Sequence, residues 1–165
     1  MLYEHVPLLI SASLFGLLGV SWDAIDRRID REFPEVTMIT QDELAARLAS
    51  DDALQLIDVR AAEEFQVSHL PGAKHLTSAE AIAAAHPNRD THLVVYCSVG
   101  YRSAAVAAEL EQLGYRQVYN LRHSIFAWAN AQQPLVNAQG PTDKAHPFNF
   151  LWGRLLDDAY RQYQP

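Results

Sequence analysis

The sequence holds a single cysteine, Cys97, among its 165 residues. One thiol excludes an internal disulfide, and it excludes a zinc site that is built from several thiolates. Seven histidines are present, but no two of them have the spacing at which adjacent turns of a helix present two metal ligands. We therefore predict neither a metal site nor a bound cofactor.

Basic residues are also scarce. The sequence has 13 Lys and Arg and 20 Asp and Glu, which gives a formal net charge of -7. Nucleic-acid binding needs clustered cations that neutralise phosphates, so this balance argues against a nucleic-acid partner. Repeats and low-complexity stretches are missing too, which excludes solenoid and fibrous architectures. With 49% hydrophobic residues, the length predicts one compact domain with some additional chain.

Residues 6–22 carry no charge and are rich in leucine. Their length is at the lower edge for a helix that crosses a bilayer, and it also resembles the apolar region of a signal peptide. No Lys or Arg precedes the segment, whereas Arg27 and Arg28 follow it, so a spanning helix would leave the rest of the chain in the cytoplasm. We expect a packed apolar helix in a cytoplasmic protein, with membrane contact through an N-terminal anchor and an export signal as open alternatives.

From residue 36 onward, short apolar runs alternate with helical segments. The runs at 54–59 and 93–96 show little alternation, which is typical of strands buried on both faces. Thr40 and Glu43 have the spacing of a capping box, and Ser78 can cap an alanine-rich helix. This alternation predicts an α/β fold with an open, mostly parallel sheet flanked by helices.

Three segments are expected along the chain. Residues 1–35 are predicted to form the apolar helix and a charged connector, and residues 36–137 the α/β domain. Residues 138–165 are predicted to form a C-terminal tail in which an amphipathic helix over 152–163 packs its aromatic side chains on the domain.

The candidate site is the loop from Cys97 to Ser103, which joins the strand at 93–96 to a helix. Ligand sites in open parallel sheets lie at the carboxyl ends of strands, and N–H groups at a helix N-terminus stabilise an anion. A cysteine there is expected to have a depressed pKa and to react as a thiolate. Gly100 permits a left-handed backbone, and Arg102 adds a positive charge. The alternatives are a buried core cysteine and an Arg102 that pairs with a carboxylate of the domain.

Several motifs resemble the rhodanese-like domain family, and they occur in the family's order over about residues 36–137. These motifs are L-I-D-V-R at 56–60, E-E-F at 63–65, S-H-L-P-G-A at 68–73, C-S-V-G-Y-R-S at 97–103, V-Y-N-L at 118–121, A-W at 127–128 and P-L-V at 134–136. The 97–103 motif is similar to the active-site loop of single-domain sulfurtransferases.

The resemblance implies a ping-pong sulfur transfer. The thiolate of Cys97 would take a sulfane sulfur from thiosulfate or another persulfide donor and pass it to cyanide or a protein thiol. The residues expected to bind the substrate and the persulfide are Ser98, Val99, Gly100, Tyr101, Arg102 and Ser103. Asp58 and Arg60 are expected to support the site rather than to touch the substrate.

Two other interpretations stay open. Phosphatases and arsenate reductases of the same fold have loops that resemble C-x5-R, whereas the C-x4-R loop here is smaller and suits a sulfur atom better. A rhodanese-like sulfur-relay or protein-interaction module is the other alternative. The chain also departs from the family, because Arg122, His123 and Ser124 replace a frequent pair of glycines. These bulkier residues beside the rim of the site are expected to narrow access or to select an unusual donor. The alternative is that Arg122 or His123 simply faces water.

Overall fold

The structure, a computed structural model, describes residues 19–51 and 53–165. Its centre is a parallel sheet in the spatial order β1-β5-β4-β2-β3. The strands are β1 (Met38–Ile39), β2 (Gln55–Asp58), β3 (Lys74–His75), β4 (Leu93–Tyr96) and β5 (Val118–Leu121). The predicted parallel α/β fold is therefore confirmed.

Helices cover both faces of this sheet. They are α1 (Trp22–Glu32), α2 (Gln41–Ser50), α3 (Ala62–Val67), α4 (Ala79–Ala85), α5 (Tyr101–Gln112) and α6 (Ser124–Asn130). The predicted capping box of Thr40 and Glu43 starts α2, and the Ser78 hydroxyl accepts the Ala81 N–H at the start of α4. These two helix starts follow directly from local sequence signals.

Strand β4 is buried along its whole length at the centre of the sheet. Val94 and Tyr96 pack into the core on one face, and Leu93 and Val95 pack into the core on the other. Apolar side chains on both faces are what a doubly covered parallel strand requires. Cys97 follows β4 directly and so lies at the carboxyl edge of the sheet.

The charged segment after residue 22, predicted as a connector, is helical instead. Ser21 caps α1 by accepting the Ala24 N–H, and Ile25 and Ile29 lie buried one turn apart against the domain. The charged side chains between them lie on the other faces of the helix, which is why composition alone suggested a connector. Of the apolar helix expected for residues 1–35, residues 1–18 lie outside the described residues. Within the described ranges, no helix has the length and apolar character that crossing a bilayer needs.

The C-terminal segment begins with an antiparallel hairpin of β6 (Leu135–Asn137) and β7 (Gly140–Thr142). Where one amphipathic helix was expected over 152–163, the chain forms two short 3-10 helices, Trp152–Leu155 and Asp158–Tyr160. The extended backbone of Leu156, which is buried in the core, separates them. The domain boundaries at 35 and 137 stay predictions.

Candidate active site

Cys97 opens a short loop between the end of β4 and the start of α5. The helix begins at Tyr101, two residues earlier than the sequence predicts, because Gly100 serves as its N-cap with a left-handed φ of 104°. An L side chain at this φ is strained, so glycine is the residue that fits. The turn aims the N-terminus of α5 back toward the cysteine sulfur.

The Cys97 sulfur is buried, with 1% of the residue exposed, and it is hydrogen-bonded. The Gly100 N–H lies 3.2 Å from Sγ, and the Ser103 hydroxyl lies 3.4 Å from it. Burial by itself raises the pKa of the Cys97 thiol. The nearby Arg102 charge and the hydrogen bonds from Ser103 and Gly100 outweigh burial, so the pKa lies below its ordinary value. The arrangement thus stabilises a thiolate, as predicted for this loop.

Asn120 on β5 holds the loop from beneath. Its Nδ2 donates to the Gly100 carbonyl at 2.8 Å, and its Oδ1 lies 2.6 Å from the Ser103 hydroxyl, whose single proton goes either to this oxygen or to the Cys97 sulfur. The amide therefore positions Gly100 and Ser103, the two residues that contact the sulfur of Cys97. Sequence reasoning placed Asn120 on a strand without assigning it a role, although an amide inside an apolar strand was a usable signal, because a buried amide needs partners.

Arg102 pairs with Glu64, which belongs to the E-E-F motif at 63–65 but had no predicted role. Its two terminal nitrogens donate to the two oxygens of Glu64 at 2.9 and 2.8 Å, and the Ser98 hydroxyl donates to Glu64 at 2.9 Å. Burial raises the pKa of Glu64. The hydrogen bonds and the charge of Arg102 lower it by more than burial raises it, so the pKa lies below its ordinary value. Of the two alternatives for Arg102, the structure shows the pairing with a domain carboxylate.

Asp58 and Arg60 form a fully buried ion pair at the end of β2, with an N–O distance of 2.6 Å. Arg60 also donates to the Ser68 carbonyl at 2.6 Å. Their contacts tie the 60–68 segment, which includes α3 and therefore Glu64, to the sheet. Neither side chain lines the cavity described below.

Arg122 and His123, which depart from the family pattern, contact α1. Both pair with Asp26, at 3.1 Å for Arg122 Nη1 and 3.0 Å for His123 Nε2. The Trp22 and His123 rings lie against each other with their centroids 4.4 Å apart. Neither side chain lines the cavity over the cysteine, and both are partly exposed, so the structure shows them as contacts of α1.

Ser124 supports the other side of the loop. His123 and Ser124 have left-handed φ values of 58° and 46°. This turn brings the Ser124 hydroxyl to accept the Cys97 N–H at 3.1 Å, while the Ile125 N–H donates to the Cys97 carbonyl at 3.2 Å. The cysteine backbone is thus held by α6 and its sulfur by α5.

A cavity of about 220 Å³ opens over the sulfur. Its walls come from three parts of the chain, namely α1, the loop and the C-terminal tail. The lining residues are Arg28, Cys97, Ser98, Val99, Tyr101, Arg102, Phe148 and Trp152. Of the predicted substrate-binding residues, Gly100 and Ser103 do not line the cavity but contact the sulfur itself. No group of His, Cys, Asp and Glu in the described part of the chain is arranged to hold a metal ion.

The fold and the loop define the class of the protein, an α/β protein whose cysteine loop joins the central parallel strand to the N-terminus of a helix. The sequence model of the rhodanese-like domain family matches residues 40–131. The chain belongs to this family.

Similar proteins agree with this assignment. The chain is 35% identical over 106 residues to a sulfurtransferase of Allochromatium vinosum, covering 64% of this chain and 99% of that protein. It is 35% identical over 86 residues to the thiosulfate sulfurtransferase GlpE of Pseudomonas aeruginosa, covering 50% of this chain and 76% of that protein. The crystal structure of a rhodanese-like domain protein from Staphylococcus aureus superposes with a TM-score of 0.50 at 30% identity, covering 56% of this chain and 91% of that one.

Proposed function

We propose that this protein is a sulfurtransferase in which Cys97 carries a sulfane sulfur as a persulfide. The observation that carries the proposal is the environment of the Cys97 sulfur. It is buried at the N-terminus of α5, contacts the Gly100 N–H and the Ser103 hydroxyl, and has a lowered pKa. A lowered pKa increases the fraction of Cys97 that is thiolate, which is the nucleophilic form of the side chain.

The reaction has two steps. The Cys97 thiolate attacks the outer sulfur of the donor, the donor S–S bond breaks, and the rest of the donor leaves with the bonding electron pair. With thiosulfate the leaving group is sulfite. An acceptor, either cyanide or a protein thiolate, then attacks the outer sulfur of the persulfide, and Cys97 leaves as the thiolate again. The loop from Ser98 to Ser103 holds the terminal persulfide anion through its dipoles.

The names of the relatives support transfer of sulfur. One is called a sulfurtransferase and another a thiosulfate sulfurtransferase. The family match over residues 40–131 includes Cys97 and Arg102. Phosphate transfer is less well supported. Both terminal nitrogens of Arg102 face Glu64, so the guanidinium does not present its planar fork to a phosphate.

Substitution of Cys97 tests the proposal. Cys97→Ser is expected to abolish cyanide-dependent thiocyanate production, because a serine hydroxyl is not ionised at neutral pH and does not form a persulfide. Ser50→Ala removes a hydroxyl from the exposed face of α2 and serves as the control that keeps full activity. Thermal unfolding checks that both variants are folded. Thiocyanate production by folded Cys97→Ser at the wild-type rate would overturn the proposal.

A further inference from the structure

The walls of the cavity over Cys97 come in part from outside the segment that matches the family. That segment spans residues 40–131, whereas Arg28 lies on α1, and Phe148 and Trp152 lie in the C-terminal tail. These three side chains therefore give the cavity features that the common domain does not supply.

Phe148 and Trp152, which form the apolar wall of the cavity, are held in place by packing contacts. The Phe148 ring lies against the guanidinium of Arg102, with 4.5 Å from Cζ to the ring centroid, and the Phe148 N–H donates to His146 Nδ1 at 3.0 Å. A Cβ added to Gly153 would lie 3.0 Å from the Cβ of Pro147, so the turn that carries Trp152 packs closely on the chain before Phe148. The tail is anchored to α6 by Asn130, whose Nδ2 donates to the Leu155 carbonyl at 2.9 Å and whose Oδ1 accepts the Asp157 N–H at 2.9 Å. The apolar wall is therefore packed and hydrogen-bonded as part of the folded protein.

The two cations of the cavity are already compensated. Arg102 pairs with Glu64, and Arg28 pairs with Glu32 at 2.9 Å. The Tyr101 hydroxyl joins the second pair, since Arg28 donates to it at 3.0 Å and it donates to Glu32 at 2.5 Å. A dianion that enters beside the Cys97 thiolate would therefore meet two ion pairs rather than two unbalanced positive charges. An organic group would meet aromatic carbon.

The cavity has room for such a group. Its volume is about 220 Å³. A cavity of about 150 Å³ lined by apolar side chains holds benzene. One ring, or an alkyl chain of similar size, fits beside the sulfur that is transferred.

From these observations we propose that the preferred donor is an organic sulfane-sulfur compound with one apolar group about the size of benzene and no more than one negative charge. This inference rests on the proposed function and names the substrate class of the same site. The apolar group packs against Phe148 and Trp152 and places its outer sulfur on Cys97.

The transfer balances with a thiosulfonate, R–SO₂–S⁻, as the donor. The Cys97 thiolate attacks the outer sulfur, and the bond between that sulfur and the sulfonyl sulfur breaks. The sulfinate R–SO₂⁻ leaves with the electron pair, and Cys97–S–S⁻ remains. The reactants and the products each carry two negative charges, and no oxidant or reductant is consumed. Cyanide then removes the outer sulfur as thiocyanate and regenerates the thiolate.

The test compares three donors, benzenethiosulfonate, methanethiosulfonate and thiosulfate, by kcat/KM for thiocyanate production at saturating cyanide. We expect benzenethiosulfonate to exceed methanethiosulfonate by about tenfold or more, which corresponds to about 1.4 kcal/mol. Thiosulfate is expected to be the poorest of the three. The ratio of the two thiosulfonates is the decisive quantity, because they share the reacting groups and differ mainly in the apolar substituent.

Variants in the tail distinguish the contribution of the apolar wall from the intrinsic reactivity of the two thiosulfonates. Trp152→Ala and Phe148→Ala are expected to lower the benzene-to-methane ratio to near one, since one large apolar contact is worth about tenfold or more. A change in the reactivity of Cys97 affects both donors and cancels in this ratio. Trp152→Phe is expected to keep most of the ratio, which excludes a mere folding defect. The matched control is Phe150→Ala, because Phe150 belongs to the same tail but is 75% exposed and lies outside the cavity lining.

Two results would overturn the inference, and they differ in meaning. A wild-type ratio near one that Trp152→Ala leaves unchanged refutes the donor class while sulfur transfer stands. Failure of all three donors to load Cys97 refutes the proposed function together with the inference.

Discussion

Cys97 owes its chemistry to side chains that come from distant parts of the sequence. Gly100 and Ser103 contact its sulfur, Arg102 supplies the nearby charge, and Asn120 fixes the loop from β5. The loop motif made the first three predictable. The pairings of Asn120 with Ser103 and of Glu64 with Arg102 were not, because they join residues 17 and 38 positions apart, although an amide inside an apolar strand indicated that Asn120 needs a buried partner.

Removing the charge of Arg102 is expected to raise the pKa of the Cys97 thiol. Burial raises this pKa and the charge of Arg102 lowers it, so in Arg102→Gln the effect of burial is no longer offset by that charge. The pH dependence of iodoacetamide alkylation should shift its midpoint upward. Arg116→Gln, which breaks an exposed ion pair with Asp90, is the matched control with no shift. An unchanged midpoint in Arg102→Gln would contradict the role of its charge.

Asn120→Ala is expected to destabilise the protein and to loosen the loop. The change removes two buried hydrogen bonds, while the Gly100 carbonyl keeps the Ala104 N–H and the Ser103 hydroxyl keeps the Cys97 sulfur. The expected loss is about 1–3 kcal/mol, since each hydrogen bond contributes about 0.5–1.5 kcal/mol. Urea unfolding measures the free energy, and a loss below about 0.5 kcal/mol would show that Asn120 does not hold the loop.

At the scale of the elements, helix α1 links the segment before the domain to the active-site loop. Ile29 is buried, and its Cδ1 lies 3.7 Å from the position of a Cβ built on Gly100. Asp26 pairs with Arg122 and His123, the residues that depart from the family pattern. The departure is thus explained by the helix that packs there.

Truncating the buried face of α1 tests this packing. Ile29→Ala is expected to lower the free energy of unfolding by about 2–5 kcal/mol, the range for buried large-to-alanine changes. Leu48→Ala on α2 removes a residue that is 40% exposed, and it serves as the control with a much smaller loss. Equal losses in the two variants, measured by urea unfolding, would mean that α1 is not packed on the domain.

The sequence predicted some elements well and others poorly, for physical reasons. Strand β4 was predictable because four consecutive buried residues leave a continuous apolar run, and α2 was predictable because its capping box is local. Helix α1 was missed because only Ile25 and Ile29 mark its buried face among many charges. The tail was misjudged because its 3-10 turns depend on close packing at Gly153 rather than on a periodic pattern.

At the scale of the whole molecule, the sheet, α1 and the tail converge over one sulfur atom. His146 lies buried in the tail, with 8% of the residue exposed, and its Nδ1 accepts the Phe148 N–H. Burial lowers the pKa of His146, and the charge of Arg60 lowers it too. The carboxylates of Glu64 and Glu63 raise the pKa by less, so it lies below its ordinary value. The folded protein therefore favours the neutral ring.

This lowered pKa predicts a loss of stability in acid. The unfolded chain binds a proton at His146 more readily than the folded chain, so the stabilisation is present above the ordinary histidine pKa of about 6.5 and declines as the pH falls below it. The Tm is expected to drop more between pH 7.5 and pH 5.5 in the wild type than in His146→Asn, whose side-chain oxygen keeps an acceptor near Nδ1. Burial also lowers the pKa of His86, but His86 is present in both proteins and cancels in the comparison. Equal drops in Tm would contradict the prediction.

A sulfur atom carried on Cys97 is detected most directly through the mass of the protein. The protein is incubated with benzenethiosulfonate or thiosulfate without an acceptor, alkylated, digested and analysed by mass spectrometry. We expect the Cys97 peptide to gain one sulfur atom, to lose it again when cyanide is added, and to gain none in Cys97→Ser. A Cys97 peptide that never gains the sulfur from either donor would contradict the account.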